Sequence, residues 1–130
     1  MSNRDLIESL YAAFGRGDVP GVFATMQPDV VWNEAPGTPY ADGNPYVGPQ
    51  AIGEGVFGRI MADYDGFQAT PAQLVVDGDT VVSLGAYTGT RKGTGVALDA
   101  PFAHHWTIRD GKISAFQQYT DTAQFRDQVG

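Results

Sequence analysis

Pro101-Phe-Ala-His-His-Trp-Thr-Ile-Arg-Asp-Gly-Lys-Ile-Ser-Ala-Phe-Gln-Gln-Tyr-Thr-Asp121 is the stretch that decides the fold. Asp110-Gly111 separates two alternating runs, and a two-residue type I′ turn needs positive φ at both central positions, which this dipeptide tolerates. Such a turn pairs Arg109 with Lys112. Continued without interruption, it pairs Ile108 with Ile113, Trp106 with Ala115, His104 with Gln117 and Phe102 with Tyr119. Strand alternation then gathers Phe102, His104, Trp106 and Ile108 on one face with Ile113, Ala115, Gln117, Tyr119 and Asp121. Ala103, His105, Thr107, Ser114, Phe116, Gln118 and Thr120 take the other. The first face is mostly apolar and aromatic, yet carries a histidine, a tyrosine hydroxyl and a carboxylate. That mixture describes a pocket wall.

Upstream of the hairpin, Phe67 to Val76 reads as a strand, and Pro71 within it implies an edge position or a bulge. Asp77-Gly78-Asp79 turns it into Thr80 to Thr90. Arg91-Lys92-Gly93-Thr94-Gly95 is a solvated hairpin tip; no helix N-terminus follows it to complete a phosphate cradle. Thr122 to Val129 is a short tail. At the other end Ser2 caps a helix carrying Leu6, Ile7, Leu10, Ala13 and Phe14, which Gly15 and Gly17 stop. Asp18-Val19-Pro20 opens a second, short helix. Asp29 to Glu34 is a strand whose alternation points Val30, Trp32 and Glu34 inward.

Ala35 to Pro49 is a long loop, read either as a lid that offers Tyr40 and Tyr46 as ligand contacts or as an irregular surface loop. Pro49 begins a third helix with Ile52, Val56, Ile60 and Met61 inward. Gly53, Gly55 and Gly58 each cost it about 1 kcal/mol, so packing must hold it. Their Gly-x-Gly-x-x-Gly spacing is not a dinucleotide fingerprint, because no strand precedes it. Helices first and a meander of long strands afterwards give an α+β domain over residues 1–130. The expected architecture is a cone-like, curved antiparallel sheet with the N-terminal helices packed over its concave face.

Composition narrows the function. Eight basic against fifteen acidic residues leave a net charge of −7, which repels nucleic acid and anionic membrane. No cysteine is present, so disulfides and thiol chemistry are excluded. His104 and His105 are neighbours on one strand, face opposite sides and cannot chelate one ion, so no metal is expected. The start of the chain lacks an apolar signal core, and a cytoplasmic location is the expectation.

His-x-Trp-Thr-Ile-Arg-Asp-Gly-Lys-Ile from His104, followed by Gln-Tyr-x-Asp-Thr-Ala from Gln118, resembles the SnoaL-like proteins of the nuclear transport factor 2-like superfamily. The opening helix, Gly-Asp break, second helix and strand are similar too. The resemblance implies the cystatin-like roll, a pocket inside the cone and a homodimer formed through the outer sheet face. It puts Asp121 where SnoaL-like cyclases carry a general acid/base aspartate. Glu34, in Trp-Asn-Glu-Ala-Pro-Gly, falls where ketosteroid isomerase has its proton-shuttling aspartate. The chain also departs from that enzyme. Leu10 stands at the position of its oxyanion tyrosine, with Tyr11 one residue off, and Ala103 at that of its protonated aspartic acid. No arginine lies on the inner strands, unlike the Asp-Arg-Asp group of limonene epoxide hydrolase.

Two functions follow. The first is a cofactor-independent isomerase or cyclase in which Asp121 or Glu34 abstracts a proton beside a carbonyl, with His104 and Tyr119 stabilising the enolate. Trp32, Trp106, Phe102, Tyr40, Tyr46 and Gln117 would bind the small apolar or aromatic substrate. The second is a non-catalytic pocket protein or dimeric accessory module. In that case Asp121 caps the turn after it, and both acids are held in structural hydrogen bonds.

Overall fold

The computed structural model describes residues 1–129. Its central hairpin joins β5 (Ala97–Arg109) to β6 (Lys112–Thr120) through Asp110 and Gly111, at φ 52° and 74°. Arg109 pairs with Lys112 and Ile108 with Ile113, as expected from the turn. The register then shifts, because Thr107 pairs with Ala115 and leaves Ser114 as one additional residue on β6. The Ser114 hydroxyl donates to the Thr107 carbonyl at 3.2 Å. A one-residue bulge moves every later side chain to the opposite face. Trp106 therefore pairs with Phe116, His104 with Gln118 and Phe102 with Thr120. Phe116 and Gln118 point into the core, while Tyr119 turns outward and is 58% exposed.

The remaining strands are β1 (Met26–Asn33), β2 (Tyr46–Val47), β3 (Tyr64–Asp77) and β4 (Thr80–Arg91). They complete a six-stranded sheet in the order β2-β1-β6-β5-β4-β3. The sheet is not wholly antiparallel: β1 lies parallel to β6, while the other neighbours are antiparallel. Parallel neighbours need a long connection, and here the intervening helices and strands provide it. Pro71 lies on edge strand β3 beside a register irregularity between Pro71 and Gln73, where its missing N–H costs the ladder little.

Helix α1 (Asn3–Gly15) begins with the Ser2 hydroxyl accepting from the Asp5 amide at 3.0 Å. It buries Leu6, Ile7, Leu10, Tyr11 and Ala13. Helix α2 (Val19–Phe23) starts where the Asp18 carboxylate accepts from the Gly21 amide at 2.9 Å. The expected third helix is divided into α3 (Pro49–Ile52), a π-helical turn (Gly53–Phe57) and α4 (Gly58–Asp63). A Cβ on Gly55 would lie 2.2 Å from the Tyr46 ring, so only glycine lets the loop pack this closely. The expected C-terminal tail is helix α5 (Thr122–Val129), docked by buried Phe125 against Tyr64 and Tyr87. The main core fills the space between the helices and the inner sheet face. Among the described residues no helix is long and apolar enough to cross a membrane.

Candidate active site

Trp32 and Glu34 leave β1 on one face, and each lies within the cone. Glu34 is 1% exposed, and its position is fixed from both sides of its backbone. Its amide donates to Asn44 Oδ1 at 2.9 Å and its carbonyl accepts from Asn44 Nδ2 at 2.8 Å. The next amide, of Ala35, donates to Gln118 Oε1 at 3.0 Å. Trp32 Nε1 donates to Glu34 Oε2 at 3.0 Å. Glu34 Oε1 is buried and has no hydrogen-bond partner among the described residues. Burial pushes the Glu34 carboxyl up to about 7, against a smaller downward pull from the Trp32 hydrogen bond.

This carboxyl lines a partly enclosed cavity of about 50 Å³. Trp32, Trp106, Phe57 and Phe116 form much of its wall, with Leu10, Val56 and Ile60. Half-buried Phe14, Phe67 and Ala69 mark its mouth. The rings interlock: Trp32 stacks on Phe116 at 3.8 Å between centroids and meets Trp106 and Phe57 edge to face at 5.9 and 5.5 Å. Among the described residues neither lysine nor arginine lines the space, which leaves an ionised Glu34 without a fixed counter-charge from them.

The same cavity is lined by Tyr11, Tyr87, His104 and Gln118, members of a hydrogen-bonded row of polar side chains. Trp106 Nε1 donates to Ser83 Oγ at 2.8 Å, and Ser83 Oγ lies 2.6 Å from the Tyr11 hydroxyl. Tyr11 is hydrogen-bonded to His104 Nδ1, and Tyr87 to His104 Nε2, each at 2.5 Å. Gln118 Nε2 donates to the Tyr87 hydroxyl at 2.8 Å. Burial pushes His104 down to about 3, so it is neutral at ordinary pH, one ring nitrogen donating and the other accepting. Burial also raises both tyrosines, which stay protonated.

The expected residues thus divide. Glu34, His104, Trp32 and Trp106 meet at the cavity. Phe102 is one layer back, stacked on His104 at 3.9 Å. Asp121 is exposed outside the cavity and caps α5, its Oδ1 accepting from the Gln124 amide at 3.3 Å. Gln117 and Tyr119 were placed inward on the unbulged register; the bulge turns both away from the cavity. Tyr40 and Tyr46 are buried but do not line it. Tyr40 donates to Asp63 Oδ2 at 2.7 Å and Tyr46 to the Tyr40 carbonyl at 2.6 Å. Together with the Arg59–Asp42 pair at 2.7 Å, they pin the 35–49 loop as part of the scaffold.

Tyr11, Tyr87, Ser83, Gln118, Phe57 and Phe116 were missed. Tyr11 follows Ile7 by four residues on the inward stripe of α1 and was legible there. Tyr87 shares alternation with Val81 and Ser83 on β4. Among the described residues no cluster of His, Asp and Glu is arranged to hold a metal ion.

The chain matches the SnoaL-like domain over residues 7–116 and belongs to that family. An NTF2-like protein from Burkholderia thailandensis is 32% identical, with 97% of this chain and 95% of that one covered and a TM-score of 0.91. TerC, co-crystallised with polyporic acid, is 29% identical over 98% of this chain and 97% of its own, at a TM-score of 0.87. A Catenulispora acidiphila protein of ketosteroid isomerase-like fold, in complex with trimethylamine, shares the fold at 20% identity and a TM-score of 0.81. Its coverage is 98% of this chain and 93% of that one. No curated protein matches the chain.

Proposed function

We propose that this chain is a cofactor-independent enzyme of the isomerase or cyclase type, in which Glu34 moves a proton beside the carbonyl of a small apolar substrate. The observation that supports it most is Glu34 Oε1, a carboxylate oxygen without a partner among the described residues in a largely apolar cavity. A general base works best with a pKa near the operating pH, and burial brings Glu34 to about 7. The ionised carboxylate takes a proton from the carbon next to the carbonyl, and the C–H electron pair moves into the enolate. A hydroxyl of the polar row stabilises the enolate oxygen. Glu34 then returns the proton to a different carbon, which isomerises a double bond. In a cyclase the enolate carbon instead attacks a second carbonyl of the same substrate, the C=O electron pair moves to its oxygen, and Glu34 returns the proton to the alkoxide so formed. The electron pair stays within the substrate throughout, so no redox partner is required.

The site takes an apolar or aromatic organic molecule, in keeping with the polyporic acid held by TerC. A typical small-molecule pocket occupies roughly 300–1,000 Å³, so anything larger than a few heavy atoms displaces Phe14 or Phe67 at the mouth. The chain works as a homodimer through its outer sheet face, where Leu84 pairs with Ala103 and Ala103 with Tyr119.

Hydrogen–deuterium exchange α to the carbonyl of cyclohexanone in D₂O tests the proposal. Wild-type protein should accelerate the exchange, and E34Q should lose about 10²-fold or more of that acceleration. Saturable ketone binding without any accelerated exchange would leave a non-catalytic binding module instead.

A further inference from the structure

The polar row has more protons than its links can use. Ala35 N–H donates to Gln118 Oε1, which fixes the amide and makes Gln118 Nε2 a donor to Tyr87. At the other end Trp106 Nε1, a donor only, enters Ser83. Between these ends are three links: Ser83 to Tyr11, Tyr11 to His104 Nδ1, and His104 Nε2 to Tyr87. Three hydroxyls and a neutral imidazole bring four protons to them. One proton must therefore leave the row.

Three exits are available. If it leaves from Ser83, a hydroxyl proton at 0% exposure is stranded, for among the described residues Ser83 Oγ is hydrogen-bonded only to Tyr11 and Trp106. Folded proteins avoid that arrangement. If it leaves from Tyr11 or Tyr87, it enters the cavity, since both tyrosines line it. Gln118 separates the two, because it ties the Tyr87 hydroxyl to the Ala35 amide, the residue next to Glu34, whereas Tyr11 is tied to Ser83 and through it to Trp106. The Tyr87 proton thus has the attracting carboxylate on its side of the space.

We infer that the row runs in one sense, Ser83 to Tyr11 to His104 Nδ1, with His104 Nε2–H donating to Tyr87 and the Tyr87 hydroxyl donating into the cavity. Tyr87 then accepts from Gln118 and His104 and spends its own proton on the ligand. The ligand class is set by this: an oxygen acceptor such as a ketone or enone carbonyl, lying between the Tyr87 hydroxyl and Glu34 Oε1. Tyr87 is the donor to a developing enolate oxygen, and Ser83, Tyr11, His104 and Gln118 are positioning residues behind it. Only the identity of the ligand rests on the proton-transfer reading; the sense of the row stands without it.

Long-range ¹H–¹⁵N correlation spectra of ¹⁵N-histidine-labelled full-length protein at pH 7 report the His104 tautomer directly. The Nε2–H form is expected, because both other exits require Nδ1–H. In a second arm, Y87F should bind cyclohexanone about tenfold more weakly than wild type, the usual effect of losing one such hydrogen bond. An Nδ1–H tautomer, or unchanged ketone affinity in Y87F, overturns the inference. Nε2–H with weakened Y87F binding but no α-proton exchange would sustain it while removing the enzymatic reading. Nδ1–H with active exchange would do the reverse.

Discussion

Trp32 Nε1 donates to Glu34 Oε2 at 3.0 Å from a position two residues earlier on the same strand face, and leaves the other carboxylate oxygen without a partner among the described residues. Alternation puts the two side chains on one face, and Asn44 holds the Glu34 backbone in place. The indole holds one oxygen in place and lowers the cost of ionisation, while burial opposes it. W32F removes the donor, so the Glu34 pKa should rise further. A hydrogen bond to a charged group corresponds to roughly one to two pH units. The midpoint of the pH–rate profile for ketone exchange should move upward by that amount in W32F.

Asp121 provides the contrasting case. It caps α5 from an exposed position, through the Gln124 amide. D121A should cost about 1 kcal/mol of stability, the usual value of an N-cap, read as a lowered urea midpoint. Its exchange rate should stay within about twofold of wild type. A loss comparable to that of E34Q would return the base role to Asp121.

Much of this was legible in the sequence, and the failures have two sources. Asp110-Gly111 set the hairpin, Pro71 marked an edge strand, and Ser2 and Asp18 marked helix starts. Val30, Trp32 and Glu34 came out on the correct face because burial alternates without interruption from Val30 to Glu34, although the β1 pairing is irregular before Val31. Beyond Ser114 the alternation of β6 is offset by one residue, and the assignments of Gln117, Tyr119 and Asp121 went with it. A signal was present: Ile113 and Phe116 are three apart and cannot both face inward unless an extra residue intervenes. Local pattern also gave no account of Tyr40 and Tyr46, whose hydroxyls bond to groups brought in by the tertiary fold.

Stability should carry opposing signatures from the two buried groups. Glu34 is raised from 4.5 to about 7, so its contribution is complete below pH 4.5 and is lost as pH rises towards 7. His104 is lowered from 6.5 to about 3, so its contribution is complete above pH 6.5 and is lost as pH falls towards 3. E34Q cancels only the first. Its stability relative to wild type should climb between pH 4.5 and 7 by roughly 3 kcal/mol, measured by urea denaturation across that range. A constant difference would mean that Glu34 titrates alike in the folded and unfolded chain.

The outer sheet face carries Val75, Leu84 and Tyr119 at 48, 39 and 58% exposure. If copies of the chain pair there, L84E should shift the protein to a monomer in sedimentation velocity at micromolar concentration. Its far-ultraviolet circular dichroism should be unchanged. Wild-type protein sedimenting as a monomer would remove the proposed dimer.

The most direct measurement is an NMR titration of the Glu34 side-chain carboxyl carbon, assigned by comparison with E34Q. A midpoint near 7 is expected, moving when cyclohexanone is added. A midpoint at or below 4.5 that ignores the ketone would contradict a buried base poised for proton transfer.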